Sequence, residues 1–438
     1  MPNGVKSNTD YPRIEKSDAL YKRALARIPS VTQTLAKGPT QYVKGVAPKY
    51  LERGRGCRVW DADGNEYIDF NMAIGPLSLG YCYSRVDQAI RAQLEQGITF
   101  SLMHPLEVEV AELVAAVVPN VESVRFSKTG CDVTSAAVRL ARAFTGRDRI
   151  LACGYHGWHD WTIGTTDRNR GIPEAVRGLT STFNYNDIDS LARQLDAGVA
   201  AVVLEPMLFE FPKDGFLEKI RELCTRHGAL LIFDEMWTGF RLALGGAQQK
   251  FGVRADLATF SKAIANGMPI AVLAGRADVM SLLEKDVFFY TTFGGEALSL
   301  AACAATIHEL RDKDVPATLQ ARGTLLVDGI NALAQELSMD YVRCIGMGAR
   351  SMVTFAPSAG NPLEAKSLLQ QELIKRGILW QGMHALSYSH GEADIRYALE
   401  AYREALPILK KAVQDGDVRR QLRGEPVSAV FRTVSGKR

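Results

Sequence analysis

The 438-residue chain is 47% hydrophobic and 23% charged, enough to bury a large core and longer than one typical domain. Its formal net charge of +3, with no dense Lys/Arg block ahead of the mildly basic stretch 419–438, sets nucleic acid and membrane surfaces aside as partners. Seven cysteines, at 57, 82, 131, 153, 224, 303 and 344, have no paired spacing, so they read as reduced thiols, which argues against disulfides and a structural zinc. Residues 1–18 lack a charged segment followed by an apolar one, and no apolar run is long enough to cross a membrane. The expectation is a soluble, unexported, cytoplasmic protein.

In chain order, Ser17 to Arg27 has the pattern of an amphipathic helix, and CRVWDADGNEYIDF (57–70) reads as a hairpin turning at Asp63-Gly64-Asn65. From about Tyr83 to Thr306, helical patterns alternate with the short apolar runs VESVRF, RILACG, VAAVVLEP, GALLIFDE, LATFS and IAVLAG. That alternation predicts an α/β fold with a doubly wound, mostly parallel sheet. A long helical stretch to about Glu336 follows, then strand-like YVRCIG and SMVTFAP, a helix from Pro362 to Arg376 and a closing helix from Glu392 to Val413. The expected organisation is a large domain over 81–310. The N-terminal segment 1–80 and the C-terminal part 311–416 would join in a small α+β domain built from both chain ends, with 417–438 a loosely held tail.

The densest chemical signal lies in the large domain. GALLIFDE has the composition of a strand buried on both faces and puts Asp234 at its carboxyl end, where open α/β sheets bind ligands. Lys262, twenty-eight residues on, ends a similar run in ADLATFSKAIANGMP. A carboxylate and an amine in such places suit pyridoxal phosphate, whose aldehyde bonds a lysine and whose ring nitrogen needs an acid. Taken singly, a strand-end Asp is commonly a helix cap and a Ser-Lys pair a surface feature.

Four further segments bear on that cofactor. Ser127-Lys128-Thr129-Gly130-Cys131-Asp132 opens the helix VTSAAVRLARAF; it reads either as an anion site at a helix N-terminus or as an ordinary capped helix start. Gly154-Tyr155-His156-Gly157-Trp158-His159 offers Tyr155 as a stacking partner for a flat ring. Its HxxH spacing has no third ligand, so no metal site is expected. Glu205-Pro206 ends another strand with a carboxylate. Tyr290-Thr291-Thr292-Phe293-Gly294-Gly295-Glu296 is a hydroxyl- and glycine-rich loop suited to phosphate, or a plain loop.

Together these segments resemble the class III, fold type I pyridoxal-phosphate aminotransferases, in the branch of the glutamate-1-semialdehyde aminomutases. The resemblance spans nearly the whole chain, through RVWDADGNEYIDF, RLARAFTGRDRI, YHGWHD, GFLEKIRELCTRHGALLIFDEMWTGFR, DLATFSKAIANGMPIAVLAG and HGEADIRYALEA. It implies that Lys262 bonds the cofactor aldehyde, Asp234 meets the pyridine nitrogen and Tyr155 stacks on the ring with Met236 on the other face. Thr129, Gly130 and Cys131 fall on the phosphate loop, and Thr292 on the threonine that reaches the phosphate of the partner subunit in a homodimer. His156 and Glu205 join the cofactor-binding set.

The sequence departs from that branch in three places. The branch's Asn-Ser-Gly-Thr-Glu is Lys128-Thr129-Gly130-Cys131-Asp132 here, its Ser-Gly-Asn-Pro is Gly294-Gly295-Glu296-Ala297, and the Gly-Asn pair after Glu205-Pro206 is replaced by Leu208-Phe209-Glu210-Phe211. A thiol is a weak donor, which shifts the expected phosphate contacts to backbone amides and Lys128. Glu210, Glu296, Trp158, His159 and His384 are the expected pocket residues. The implied reaction is transfer of an amino group between an amino donor and a carbonyl substrate, here a sugar-like or carbocyclic biosynthetic ketone. The alternatives are an intramolecular aminomutase on glutamate 1-semialdehyde or a similar compound, and a non-catalytic binder of the cofactor. A dinucleotide oxidoreductase is disfavoured because no G-x-G-x-x-G follows a strand.

Overall fold

A computed structural model describes residues 10–429. Residues 1–9 of the N-terminal segment and 430–438 of the expected tail lie outside the described residues. The chain divides into two compact units, one of residues 84–316 and one that combines the stretch before 84 with the stretch from Ala317 on. Among the described residues, fourteen strands run in chain order: β1 (Leu51–Arg55), β2 (Arg58–Asp61), β3 (Glu66–Asp69), β4 (Ser123–Ser127), β5 (Arg149–Cys153), β6 (Thr180–Thr182), β7 (Val199–Leu204), β8 (Leu230–Asp234), β9 (Leu257–Phe260), β10 (Ala271–Gly275), β11 (Val342–Met347), β12 (Arg350–Phe355), β13 (Ile378–Leu379) and β14 (Met383–His384).

The unit of residues 84–316 is built on a seven-stranded sheet in the order β4-β10-β9-β8-β7-β5-β6. Strands β5 to β9 are mutually parallel, and β10 runs antiparallel to both β4 and β9. Every residue of β7 and β8 is buried, because helices cover both faces. In β8, Leu230 and Ile232 join one core with Val133, Ala137 and Leu140 of the helix Gly130–Thr145. Leu231 and Phe233 join the opposite core with Phe216, Leu217 and Ile220 of the helix Phe216–His227. Side chains that alternate between two apolar layers give an unbroken apolar run instead of an alternating one. Parallel strands end together, so the segments after β5, β7, β8 and β9 emerge at one edge.

The other unit holds a four-stranded sheet β1-β2-β3-β13 and a three-stranded sheet β11-β12-β14. The β2–β3 hairpin turns where expected. Asp61 fixes it by accepting from the Asp63 and Asn65 amides at 3.0 and 2.8 Å and from the Tyr67 hydroxyl at 3.0 Å. The helices Pro362–Lys375 and Glu392–Gln414 close this unit. Residues 417–429 are held more firmly than a loose tail. Val418–Gln421 forms a helical turn, Val427 is buried with its amide on Ser367 Oγ at 2.9 Å, and the Ser428 amide meets the Thr40 carbonyl at 2.8 Å.

Candidate active site

Asp234 closes β8 and is almost wholly buried. Its Oδ1 accepts the Met236 amide at 3.0 Å, and its Oδ2 lies 2.7 Å from His156 Nδ1. The other ring nitrogen of His156 faces the Cys153 carbonyl at 3.1 Å. A carbonyl can only accept, so Nε2 carries a hydrogen, and the short Nδ1–Oδ2 contact needs a proton of its own. The imidazole thus fixes the carboxyl through a hydrogen bond.

Lys262 opens a short 3-10 turn, Lys262–Ala265, just past β9, and its φ is +49°. A non-glycine residue in the left-handed region is strained, and such residues concentrate at functional sites. Ser261 Oγ anchors the bend on the Ile270 carbonyl at 2.7 Å. The ammonium of Lys262 lies 4.7 Å from the centre of the Trp237 ring, a cation–π distance. Because β8 and β9 pair in parallel with Asp234 opposite Thr259, Lys262 and Asp234 leave the sheet at the same edge.

Thr129 caps the helix Gly130–Thr145 in a reciprocal box. Its Oγ1 accepts the Asp132 amide at 3.3 Å and its own amide donates to Asp132 Oδ2 at 2.8 Å, while Ser127 Oγ supports the same carboxylate at 2.8 Å. The Gly130 and Cys131 amides, the next two in the first turn, have no acceptor among the described residues. Two unsatisfied amides at the positive end of a sixteen-residue helix fit a phosphate. The turn is crowded: a Cβ on Gly130 would come within 2.9 Å of Met236 Sδ, and one on Gly157 within 2.7 Å of Cys131 Sγ. Burial pushes the Cys131 thiol up, and the Trp158 amide on its sulfur pulls the other way. Tyr155 is exposed on one side; burial of the rest, then the charges of Cys131 and Asp234, push its hydroxyl up.

The structure thus gathers Thr129, Gly130, Cys131, Tyr155, His156, Asp234 and Met236, with Lys262 at the same edge. Glu205 is half-buried just past β7, near Cys153 and Tyr185. Thr292 is exposed and makes no hydrogen bond to the Thr129–Cys131 turn among the described residues. Three expected pocket residues are engaged elsewhere. His384 is buried, bonded to Ser351 Oγ and the Tyr402 hydroxyl at 3.1 and 2.8 Å, Glu210 pairs on the surface with Lys213 at 3.0 Å, and Glu296 is bonded to Lys128 at 2.7 Å. His159 faces Ser135 Oγ at 2.6 Å, and Trp158 is exposed.

Two residues escaped sequence reasoning. Trp237, beneath Lys262, is visible only once Asp234 and Lys262 are known to converge. Glu235 was readable as a second acid, but nothing in sequence shows that it is fully buried. It accepts from Thr238 Oγ1 and the Ala247 and Gln248 amides at 2.7, 2.6 and 3.2 Å, and burial pushes it up to about 7.

Comparison with known proteins bears on what this geometry serves. The family model described as "Aminotransferase class-III" matches residues 42–387. The 3-aminobutyryl-CoA aminotransferase of Cloacimonas acidaminovorans is 34% identical over 412 residues, covering 91% of this chain and 98% of that one. The glutamate-1-semialdehyde 2,1-aminomutase of Methanothrix thermoacetophila is also 34% identical, over 428 residues, covering 90% and 97%. Among solved structures, the PLP-bearing FumI protein of Sphingopyxis sp. MTA144 superposes with a TM-score of 0.84 at 29% identity, over 94% of this chain and 98% of that one.

Proposed function

Since the chain belongs to the class III aminotransferases, enzymes that use pyridoxal phosphate, we propose that Lys262, Asp234 and Tyr155 form the reacting centre of an amino-group transfer from an amino donor to a carbonyl acceptor. The observation that carries this reading is the buried Asp234 carboxyl backed by His156, at the same sheet edge as the left-handed Lys262 and the two unsatisfied amides of Gly130 and Cys131. When bound, the cofactor supplies an electron sink for the bonds around the amine-bearing carbon. Asp234 would hold a proton at the ring nitrogen, Tyr155 and Met236 would bracket the ring, Thr129, Gly130 and Cys131 would bind the phosphate, and Lys262 would hold the aldehyde end. The Lys262 Nζ is the base placed to move a proton at the substrate's amine-bearing carbon. His156 orients Asp234, and Glu205 completes the edge.

The carbonyl substrate is, in this proposal, a biosynthetic ketone of sugar-like or carbocyclic kind. Its support is the aromatic pair Phe209 and Phe211 of the segment after Glu205-Pro206, since Glu210 pairs with Lys213 and Glu296 with Lys128. The relatives named glutamate-1-semialdehyde 2,1-aminomutase favour a second reading, in which the amino group moves within one carbon skeleton. A homodimer in which Thr292 serves the partner's site accords with the apolar side chains exposed on the unit of residues 84–316: Leu102 at 79%, Met103 at 81%, Phe288 at 72% and Phe293 at 57%. No described helix is long and apolar enough to cross a membrane, and the seven free cysteines suit a reducing, cytoplasmic setting.

The purified protein given pyridoxal phosphate should develop a visible absorption band that amino donors bleach, and Lys262→Ala should abolish both band and turnover. Turnover surviving in Lys262→Ala would sink the assignment of that lysine. Screening donors and acceptors against the same band separates the two readings: bleaching and return that require an outside donor support the transferase, and product formed from glutamate 1-semialdehyde alone supports the aminomutase.

A further inference from the structure

Lys128 and Glu296 are both departures from the branch that the sequence resembles, and they meet. Lys128 Nζ lies 2.7 Å from Glu296 Oε1, with the side chains 19% and 10% exposed. Lys128 stands immediately before Thr129, the cap of the helix Gly130–Thr145, and Glu296 is itself the cap of the helix Ala297–Asp312. Glu296 accepts the Leu298 amide at 2.8 Å and the Ser299 amide at 3.1 Å. One helix N-terminus therefore donates to this carboxylate, and the side chain just ahead of the other helix reaches it. The N-terminus carries partial positive charge, and the Lys128 ammonium adds a full one in a half-buried place. Burial draws the Lys128 amine down while Glu296 raises it; the ammonium and the helix amides hold Glu296 below its ordinary value against burial.

The loop that ends at Glu296 is seated as tightly. A Cβ on Gly294 would come within 2.7 Å of Thr291 Oγ1 and 2.9 Å of the Phe126 carbonyl, and one on Gly295 within 2.6 Å of the Glu107 carboxyl. The loop bearing Thr292 is thus fastened to the end of β4 and, through Glu296, to the turn that begins at Lys128.

We propose that Lys128 and Glu296 are a positioning pair: Lys128 is the counter-ion of Glu296 rather than a ligand of the cofactor phosphate, and Glu296 is a charge-neutralising link between two loops rather than a substrate-specificity residue. The phosphate is then held by uncharged donors, the amides of Gly130 and Cys131 and the Thr129 hydroxyl. This rests on the reading of the Thr129–Cys131 turn as the phosphate site.

The consequence is an unusual pattern of rescue. Lys128→Met leaves Glu296 as an uncompensated anion close to the turn, and should weaken inorganic phosphate and pyridoxal phosphate by about tenfold, most strongly at low salt. Lys128→Met/Glu296→Gln removes both charges and should restore affinity to within about threefold of the parent. Affinities are read by tryptophan fluorescence on the full chain freed of cofactor, with pyridoxal as a control that lacks the phosphate. If the double variant stays as weak as Lys128→Met, the lysine touches the phosphate and the proposal is overturned. Thr129→Val tests the underlying reading separately. Phosphate binding weakened by Thr129→Val but indifferent to Lys128→Met overturns the pair alone; indifference to both overturns the phosphate site as well.

Discussion

Asp234 and Glu235 are adjacent acids that the backbone sends to opposite duties. The Asp234 carboxyl meets one side chain, His156, and one amide, while Glu235 turns away into a closed set of three donors from Thr238, Ala247 and Gln248. Glu235 therefore braces the segment that carries Met236 and Trp237. Glu235→Gln should cost about 1–3 kcal/mol, because the amide's NH2 cannot accept from donors already in place. The deficit should also depend on pH. Burial raises Glu235 from 4.5 to about 7, so its protonated form adds stability that is fully present below pH 4.5 and is lost as pH rises through 7. Urea unfolding at pH 5 and pH 8 should show the gap between parent and variant shrinking at the higher pH. A gap that widens would place the charged form, not the neutral one, in the native protein.

At the scale of elements, the Glu235 brace depends on one glycine. Gly246 opens the short helix Gly246–Phe251 with φ +70°, and a Cβ there would come within 2.3 Å of Glu235 Oε2. Gly246→Ala should lower stability by about 2 kcal/mol or more, through backbone strain and displacement of the carboxylate. Thermal unfolding checks this, and an unchanged midpoint would mean that the loop has room to shift. The strands of the main sheet were legible because β7 and β8 face two apolar layers and so show unbroken apolar runs. β6, three residues of which Ser181 and Thr182 are exposed at the sheet's edge, had no such signal. The long helical stretch after Thr306 is two helices, Ala297–Asp312 and Val315–Glu336. Its break at Asp314, with φ +43°, carries no glycine, but the charged run 311–314 and Pro316 at the start of the second helix mark it. Asp234, Lys262 and the Thr129 turn were readable because each sits at an element boundary, where sequence punctuation is strongest. The Lys128–Glu296 pair was not: its members are 168 residues apart, each at the start of a different helix.

For the whole molecule, His384 and His390 are two buried titratable groups outside the site, both in ring contact with Phe70. Burial pushes His384 down to about 3 and His390 to about 4. Both are neutral in the folded chain near pH 7, while an unfolded histidine takes up a proton below about 6.5. The histidine contribution to folding stability is therefore complete above pH 6.5 and falls as pH drops toward 4, since the unfolded histidines bind more protons throughout that window. Glu235 and the buried Asp69, both raised by burial, act with the opposite sign, so the histidine contribution is best read as a difference between variants. His390 Nδ1 accepts the Ser387 amide at 3.0 Å, and an asparagine Oδ1 can take that bond without titrating. His390→Asn should lose less stability than the parent between pH 7.5 and pH 5, by about 2 kcal/mol for one histidine over that interval. Chemical unfolding of both proteins at the two pH values measures it. Equal losses would mean that His390 takes up its proton without unfolding, and that the enclosure around Phe70 opens to water as the pH falls.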